Sequence, residues 1–436
     1  MPASEAEPDC DTCVIVTWAN GREQMRRVLM VAFHYPPESS SSGVLRTLKF
    51  SKYLPEFGWQ PTVLTVREKY YDSLDPTLTR QIPASVEVCR TRAIDTRKMF
   101  AIRGKYSRLF TTPDRFVGWL PFAVLAGMRL IRKNHIDALF STSPLPSAHL
   151  IARLLKSITH LPWVADFRDP WTEPDSEPNP RDLSFRLNTA LESGVFRSAG
   201  RLVFTTARAR NDVLRHAGQE LAGKSLVIPN GYDEEDFQQL PELVPERSPL
   251  LITHTGLVDE SYRSPVGFLT SLSELIKTGE ISSEEIKVQF IGSGAYVASD
   301  DFRSLVKNLG LEGVVHVMDR KSYAECLEAQ MRSHILLLLQ CGDDTRYAIP
   351  GKAFEYLRIG RSILAITPES ASSELFSEVG GARVVHPGDH ANLTSALAEL
   401  LRSARSEKSN NAVSRTALDA YSRRAGAARL AEALSS

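Results

Sequence analysis

Cysteine is scarce in this sequence, five in 436 residues. So few thiols point to a reducing compartment and away from a disulfide-stapled secreted fold. Cys10 and Cys13 form a lone CxxC with no second ligand pair after it, which speaks against a zinc site. Cys89, Cys326 and Cys341 sit in or beside strand- and helix-like segments and read as buried thiols. A run of about 18 apolar residues is also missing, so no membrane-spanning helix is expected. Neither sign of charge prevails, with 52 Lys plus Arg against 52 Asp plus Glu. No overall field therefore draws the chain to nucleic acid or acidic lipid. Where a secretory signal needs a basic start and an apolar middle, the chain has Glu5, Glu7, Asp9 and Asp11. Residues 1–25 read as a disordered extension, with Met25 a candidate start, and the protein reads as soluble and cytoplasmic.

What is present is an α/β rhythm. Apolar content of 42% and charge content of 24% are those of a globular protein, and the length exceeds what one core usually supports. Strands are expected at 27–34, 61–66, 86–89, 136–141, 162–166, 201–205 and 225–229, with helices at 44–57, 116–133, 146–158, 182–198 and 207–217. Proline and acid in NGYDEEDFQQLPELVPERSP, residues 230–249, mark a linker. The rhythm restarts with strands at 250–255, 287–291, 314–317, 334–339, 362–367 and 383–386. Helices fall at 265–277, 300–309, 321–331, 351–359, 371–379 and 390–404, and a helical tail at 409–435 is expected to cross back onto the first half. Alternation of this kind builds parallel sheets buried on both faces. The expected architecture is two doubly wound domains facing each other across a cleft: residues 26–235, a linker at 236–249, residues 250–408, and the tail at 409–436.

In such sheets ligands sit beyond the carboxyl ends of the strands. After the first strand, HYPPESSSSGVLR ends in Gly43 at a helix start, where a ligand could come close to the backbone. Arg46, one turn on, is placed to meet a phosphate, although a solvated arginine explains it equally. The loop is neither a P-loop nor GxGxxG. In ADFRDPWTEP, Asp166, Arg168, Asp169 and Trp171 fall within six residues. Either the acids pair with the arginine to hold the turn, or a carboxylate and an indole face a sugar. In the second half, HTGLVDESYRSP carries Gly256 and Arg263, and IGSGA carries Gly292 and Gly294. RYAIPGKAFEYLRIGRSILAI places Lys352 and Glu355 three apart on the first turn of a short helix, with Ala353, Phe354 and Leu357 turned to a core. Pro350 suits a helix start, and the amino end of a helix attracts anions. A lysine and a glutamate there also suit a solvated first turn. Glycine loops, cations and a helix terminus along one edge together suit a diphosphate.

The co-linear set FHYPPE…SGVLR, ADFRDPW, VIPNGYDEEDF, HTGLVDESYRSP and IPGKAFEYLRIGRSILAI, over about residues 26–435, resembles the signatures of GT-B glycosyltransferases of family 4 type. The resemblance implies two facing Rossmann-like domains, the acceptor on the first and a nucleotide sugar, with UDP or GDP expected, on the second. It implies retention of configuration, no cofactor and no divalent metal. Arg263 and Lys352 would neutralise the donor diphosphate, helped by backbone N–H groups near Gly256 and Gly351, with Gly292 alongside. Glu355 matches the glutamate that holds the ribose. Asp169 is the residue chosen to contact the acceptor hydroxyl or the sugar, with Gly43, Arg46, Asp166 and Trp171 on the acceptor side. The family often has a second glutamate seven residues before the first, and here that position is Tyr347. Asp343 and Asp344 are candidates for its role.

The function implied is transfer of a sugar, a hexose expected, to a glycan, lipid-linked or small-molecule acceptor in surface polysaccharide, lipid-linked oligosaccharide or glycosylated-metabolite synthesis, with no nucleic acid involved. A nucleotide-sugar epimerase on the same frame, or a non-catalytic sugar-nucleotide-binding protein, are the alternatives. The apolar helix at 116–133, which ends in Arg129, Arg132 and Lys133, is either core or a peripheral contact with the inner membrane face.

Overall fold

The computed structural model describes residues 25–39, 43–100, 108–169, 171–172, 182–241, 243–406 and 413–436. The proposed extension before Met25, with Cys10 and Cys13, lies outside the described residues.

The first lobe is a seven-stranded parallel sheet in the order β3-β2-β1-β4-β5-β6-β7. Its strands are β1 Arg26–Ala32, β2 Trp59–Val66, β3 Glu87–Thr91, β4 Ala138–Thr142, β5 Trp163–Phe167, β6 Arg201–Phe204 and β7 Ser225–Val227. The longer helices between them are α1 Gly43–Tyr53, α2 Leu120–Asn134, α3 Ser147–Thr159, α4 Leu183–Ser198 and α5 Ala207–Ala217. The second lobe is six-stranded and parallel, in the order β10-β9-β8-β11-β12-β13. It contains β8 Leu250–Thr255, β9 Ile286–Ile291, β10 Val315–Met318, β11 Ile335–Leu339, β12 Ser362–Ile366 and β13 Ala382–Val385. Its helices are α6 Val266–Lys277, α7 Asp300–Asn308, α8 Tyr323–Met331, α9 Gly351–Ile359, α10 Ala371–Val379 and α11 His390–Arg405.

β11 reads ILLLL and is buried at every residue, because helices cover both faces of a central parallel strand. In each lobe the strand order reverses beside the first strand, between β1 and β4 and between β8 and β11. The region beyond those strand pairs is where such sheets take ligands.

The tail is not one helix. A short turn at Arg415–Asp419 is followed by α12, Arg423–Ser435. The break falls where Ser422 caps α12 by accepting from the Ala425 N–H, while the Arg423 N–H donates to the Tyr232 carbonyl at 2.7 Å. Beyond it α12 crosses to the first lobe, where Ala427, Leu430, Ala431 and Leu434 join a core with Val28, Phe50 and Phe140. Two smaller expectations also change. The 116–133 helix starts at Leu120 and turns Ala123, Gly127 and Leu130 inward, with Leu125 exposed. Cys89, Cys326 and Cys341 are half-buried, not buried. Among the described residues no helix is long and apolar enough to cross a membrane.

Candidate functional site

The switch point of the second lobe is closed by its own backbone. The Gly256 N–H donates to Ile291 and the Val258 N–H to Ser293, lacing the loop after β8 to the loop after β9. On the other side the Cys341 N–H donates to the Tyr262 carbonyl at 2.6 Å. Gly256 has φ +96°, which glycine adopts without strain. This lacing corrects one expectation. The N–H of Gly256 is spent on Ile291 and that of Gly292 on Met318, so neither glycine offers its own N–H to a diphosphate. Gly351 differs, since no atom lies within 4 Å of where its Cβ would stand.

Lys352 leaves the first turn of α9 and runs to the end of β8. Its ammonium donates to the Thr255 carbonyl at 2.7 Å and meets His254 Nε2 at 3.1 Å. His254 Nδ1 faces the Leu337 carbonyl at 2.9 Å, a pure acceptor, so the proton sits on Nδ1 and Nε2 accepts from the lysine. Two of the three ammonium hydrogens are thereby fixed and one remains. Burial, then the Arg263 charge, pull the lysine down to about 7, and the Glu355 carboxylate only partly opposes them. Burial, then the lysine, likewise hold His254 well below its ordinary value, so its imidazole is neutral. Arg263 is turned toward Asp259, at 3.2 Å, and stays 36% exposed. The structure thus brings Lys352, Arg263, Gly256 and Gly351 to one edge, with no carboxylate among the described residues in contact with Lys352.

Glu355 lies on the inner side of the same helix, only 8% exposed. It accepts from the Tyr323 hydroxyl at 3.1 Å and from Gln330 Nε2 at 3.4 Å, and burial pushes its carboxyl upward. Gln330 also reaches Thr255 Oγ1 at 3.0 Å, tying Glu355 to the strand end that holds Lys352. The helix is more deeply set than its sequence pattern indicates, since Ala353 to Leu357 are all buried. A solvated first turn is ruled out for Glu355 by its burial and for Lys352 by its contacts.

The first lobe rearranges the acceptor-side expectations. Arg46 is 1% exposed and neither solvated nor open to a phosphate. Its guanidinium grips both oxygens of Asp166, at 2.9 and 2.7 Å, and donates to the Ile228 and Pro229 carbonyls. Asp166 also accepts from Thr142 Oγ1 at 2.7 Å, so it holds the fold and does not face a sugar. The expected pairing of the acids with Arg168 fails because α1 delivers Arg46 to Asp166 instead. The place of a side chain at Gly43 is filled by the Arg168 guanidinium, 1.6 Å from the Cβ position, so this glycine admits an arginine and not a ligand. Trp171 is half-buried against the first-lobe core, its indole N–H given to Asn188 at 2.9 Å. Asp169 alone of this set is exposed at the strand end.

Tyr347 points away from Lys352 to the first lobe. Its carbonyl accepts from Thr206 Oγ1 at 2.6 Å and its hydroxyl reaches Asp212 at 3.4 Å. The Asp343 and Asp344 side chains lie outside the described residues. Sequence reasoning missed His254, Tyr323, Gln330 and Arg423. Only His254 carried a signal, a histidine near the end of a buried strand. Among the described residues no group of three His, Cys, Asp or Glu is placed to hold a metal ion.

Residues 43–231 match the family described as a glycosyl transferase 4-like domain. No curated protein matches the chain. Among solved structures, a sucrose-phosphate synthase from Thermosynechococcus elongatus shares 14% identity at a TM-score of 0.65, over 93% of this chain and 98% of that one. Anabaena HepE in complex with UDP shares 14% at 0.61, over 94% and 100%. The lipopolysaccharide outer core galactosyltransferase WaaB shares 10% at 0.59, over 94% and 99%. Identities this low speak for the fold, and the fold they share spans both lobes.

Proposed function

We propose that the chain is a GT-B glycosyltransferase of family 4 type, in line with the glycosyl transferase 4-like match over residues 43–231 and the fold shared with the solved structures, and that it takes a sugar from a nucleoside-diphosphate donor in the second lobe and passes it, with retention, to a hydroxyl on an acceptor held against the first. One observation carries the donor assignment. Lys352 is a half-buried cation with one hydrogen uncommitted, repelled by Arg263 and contacted by no acid among the described residues, at the amino end of α9. A diphosphate supplies the charge that this arrangement lacks.

In this reading the leaving diphosphate gains charge as the sugar–phosphate bond breaks, and cations fixed beforehand stabilise it without reorganising. Glu355, held by Tyr323 and Gln330, presents its remaining acceptor capacity to the ribose hydroxyls. Asp169, exposed at the end of β5, contacts the acceptor hydroxyl or the sugar and positions it. UDP is the favoured donor nucleotide, in line with the HepE complexes with UDP and UDP-glucose, and surface polysaccharide the favoured product, in line with the lipopolysaccharide outer core galactosyltransferase WaaB. The exposed Leu125, with Arg129, Arg132 and Lys133 beyond it, supports contact of α2 with a lipid surface that carries a lipid-linked acceptor. Nothing in the site favours the epimerase or the non-catalytic reading.

A thermal-shift screen against UDP-, GDP-, ADP- and dTDP-sugars tests the proposal. A donor at a hundred times its dissociation constant stabilises by about 2.7 kcal/mol, which raises the melting temperature. One donor is expected to do so, with Lys352→Ala and Glu355→Ala each reducing the shift and nucleotide diphosphate released only when acceptor is present. Equal shifts in both variants and wild type would refute the site, and release without acceptor would refute transfer.

A further inference from the structure

Three arginines from distant parts of the chain meet at the head of α1. Arg46 stands on the helix, Arg168 comes from the loop after β5, and Arg423 opens α12. Arg46 is satisfied by Asp166 and two carbonyls. The other two are not. Arg168 donates from Nη1 to the Ser143 carbonyl at 3.1 Å, and its Nε is buried with no partner. Arg423, 6% exposed, gives Nη1 to Asn230 Oδ1 at 3.2 Å, the same oxygen that Arg46 approaches at 3.5 Å. Among the described residues neither Arg168 nor Arg423 has an ion pair, and the rest of the Arg423 guanidinium has no protein acceptor.

The neighbouring acids are engaged elsewhere. Asp166 belongs to Arg46, Asp236 pairs with Lys49 at 2.6 Å, and Glu355 takes Tyr323 and Gln330. Glu38 pairs with His34 at 3.1 Å, and exposed Asp169 forms no ion pair with Arg168. Burial, then repulsion from Arg46, hold the Arg423 guanidinium down to about 10, with Arg168 adding to the repulsion; it is still charged at neutral pH. Buried charge left uncompensated destabilises a fold, and such arrangements persist where a ligand completes them. Arg168 adjoins Asp169 at the cleft end of the first sheet, and Arg423 lies within electrostatic reach of Tyr323 and Glu355 on the second lobe. The pair therefore lies between the Asp169 loop of the first lobe and the Glu355 end of α9.

We infer that Arg168 and Arg423 form an oxyanion subsite on the acceptor side of the cleft, taking a phosphate monoester or a carboxylate carried by the acceptor. Guanidinium forks suit both, since each presents two parallel N–H groups to paired oxygens. The inference rests on the proposed placement of donor and acceptor, and its test is built to fail separately.

The full chain is saturated with UDP, so that the Lys352 edge is occupied, and titrated calorimetrically with inorganic phosphate and, in a second arm, with acetate. At least one anion is expected to bind, with affinity falling about tenfold or more in Arg168→Gln and in Arg423→Gln while UDP affinity is unchanged. Binding of phosphate alone assigns a phosphorylated acceptor, and binding of acetate assigns a carboxylate. Arg423→Lys, which keeps the charge and loses the fork, is expected to fall between wild type and Arg423→Gln, and serves if the glutamine variant does not fold. Failure of both anions to bind the UDP-loaded wild type overturns the inference, as does equal affinity in wild type and variants. Repeating the phosphate titration on Lys352→Ala without UDP separates the two readings: a subsite that still responds to Arg168→Gln there survives even if the donor assignment falls.

Discussion

Lys352 is where burial and charge are most at odds. Burial and Arg263 bring its value down to about 7, so its charged form is held only weakly at neutral pH in the free chain. A bound diphosphate favours the charged form and raises that value. Donor binding at pH 8 is therefore expected to take up a proton, and donor affinity to decline as pH rises from about 7 to 9. Titrations in buffers of different ionisation heat measure the uptake, and none at all would contradict it. For the unliganded fold the sign is opposite. An unfolded lysine titrates near 10.4, so between about pH 7 and 10 the unfolded chain binds more protons and this residue's contribution to stability rises with pH. Asp166 gives a second prediction at this scale. Removing one partner of a buried pair costs about 3–5 kcal/mol, so Asp166→Ala is expected to lower denaturant stability by that order and leave donor binding intact. The sequence placed Arg46 and Asp166 beside strand ends but did not indicate that they pair. Arg46 and Asp166 are 120 residues apart, and nothing local predicts that one will meet the other.

At the scale of elements, α9 was legible because its punctuation is strong. Pro350 starts it, Gly360 ends it at φ +75°, and an apolar strand follows. Its depth was not legible, because burial of Glu355 depends on Tyr323 and Gln330 arriving from α8. The two glycines at this edge separate structure from ligand. Gly256 sits at φ +96°, where alanine is strained. Gly351 has ordinary φ and open space where its Cβ would stand. Gly351→Ala is expected to melt at or slightly above the wild-type temperature, since alanine favours helix by up to about 1 kcal/mol, yet to weaken donor binding by crowding the helix end. Melting and donor titration of one sample check both, and wild-type affinity in this variant would argue against a ligand there. The tail shows the converse. Its helical pattern was readable, while its break at Ser422 follows from the Arg423 N–H pairing with Tyr232, a contact between the linker and the far end of the chain.

Across the whole molecule, two lobes were legible because each βαβ unit is built from neighbours in sequence, and its buried strands announce themselves. Contacts between lobes were not. Thr206 with Tyr347, Arg208 with Glu369 and Glu374, and Arg320 with the Ser39 carbonyl join residues far apart in the chain, and they explain why position 347 is a bridge. The C-terminal helix is part of the first lobe's core, so Leu430→Ala, at a fully buried position, is expected to cost about 2–5 kcal/mol in denaturant unfolding although it lies in the last residues of the chain. The central claim concerns where a pyrophosphate docks on this frame. A crystal structure of the chain with UDP tests it most directly. The account predicts the diphosphate against Lys352 Nζ and the amino end of α9, with Arg263 turned from Asp259 toward it. A diphosphate bound anywhere else, with Lys352 still holding only Thr255 and His254, would contradict it.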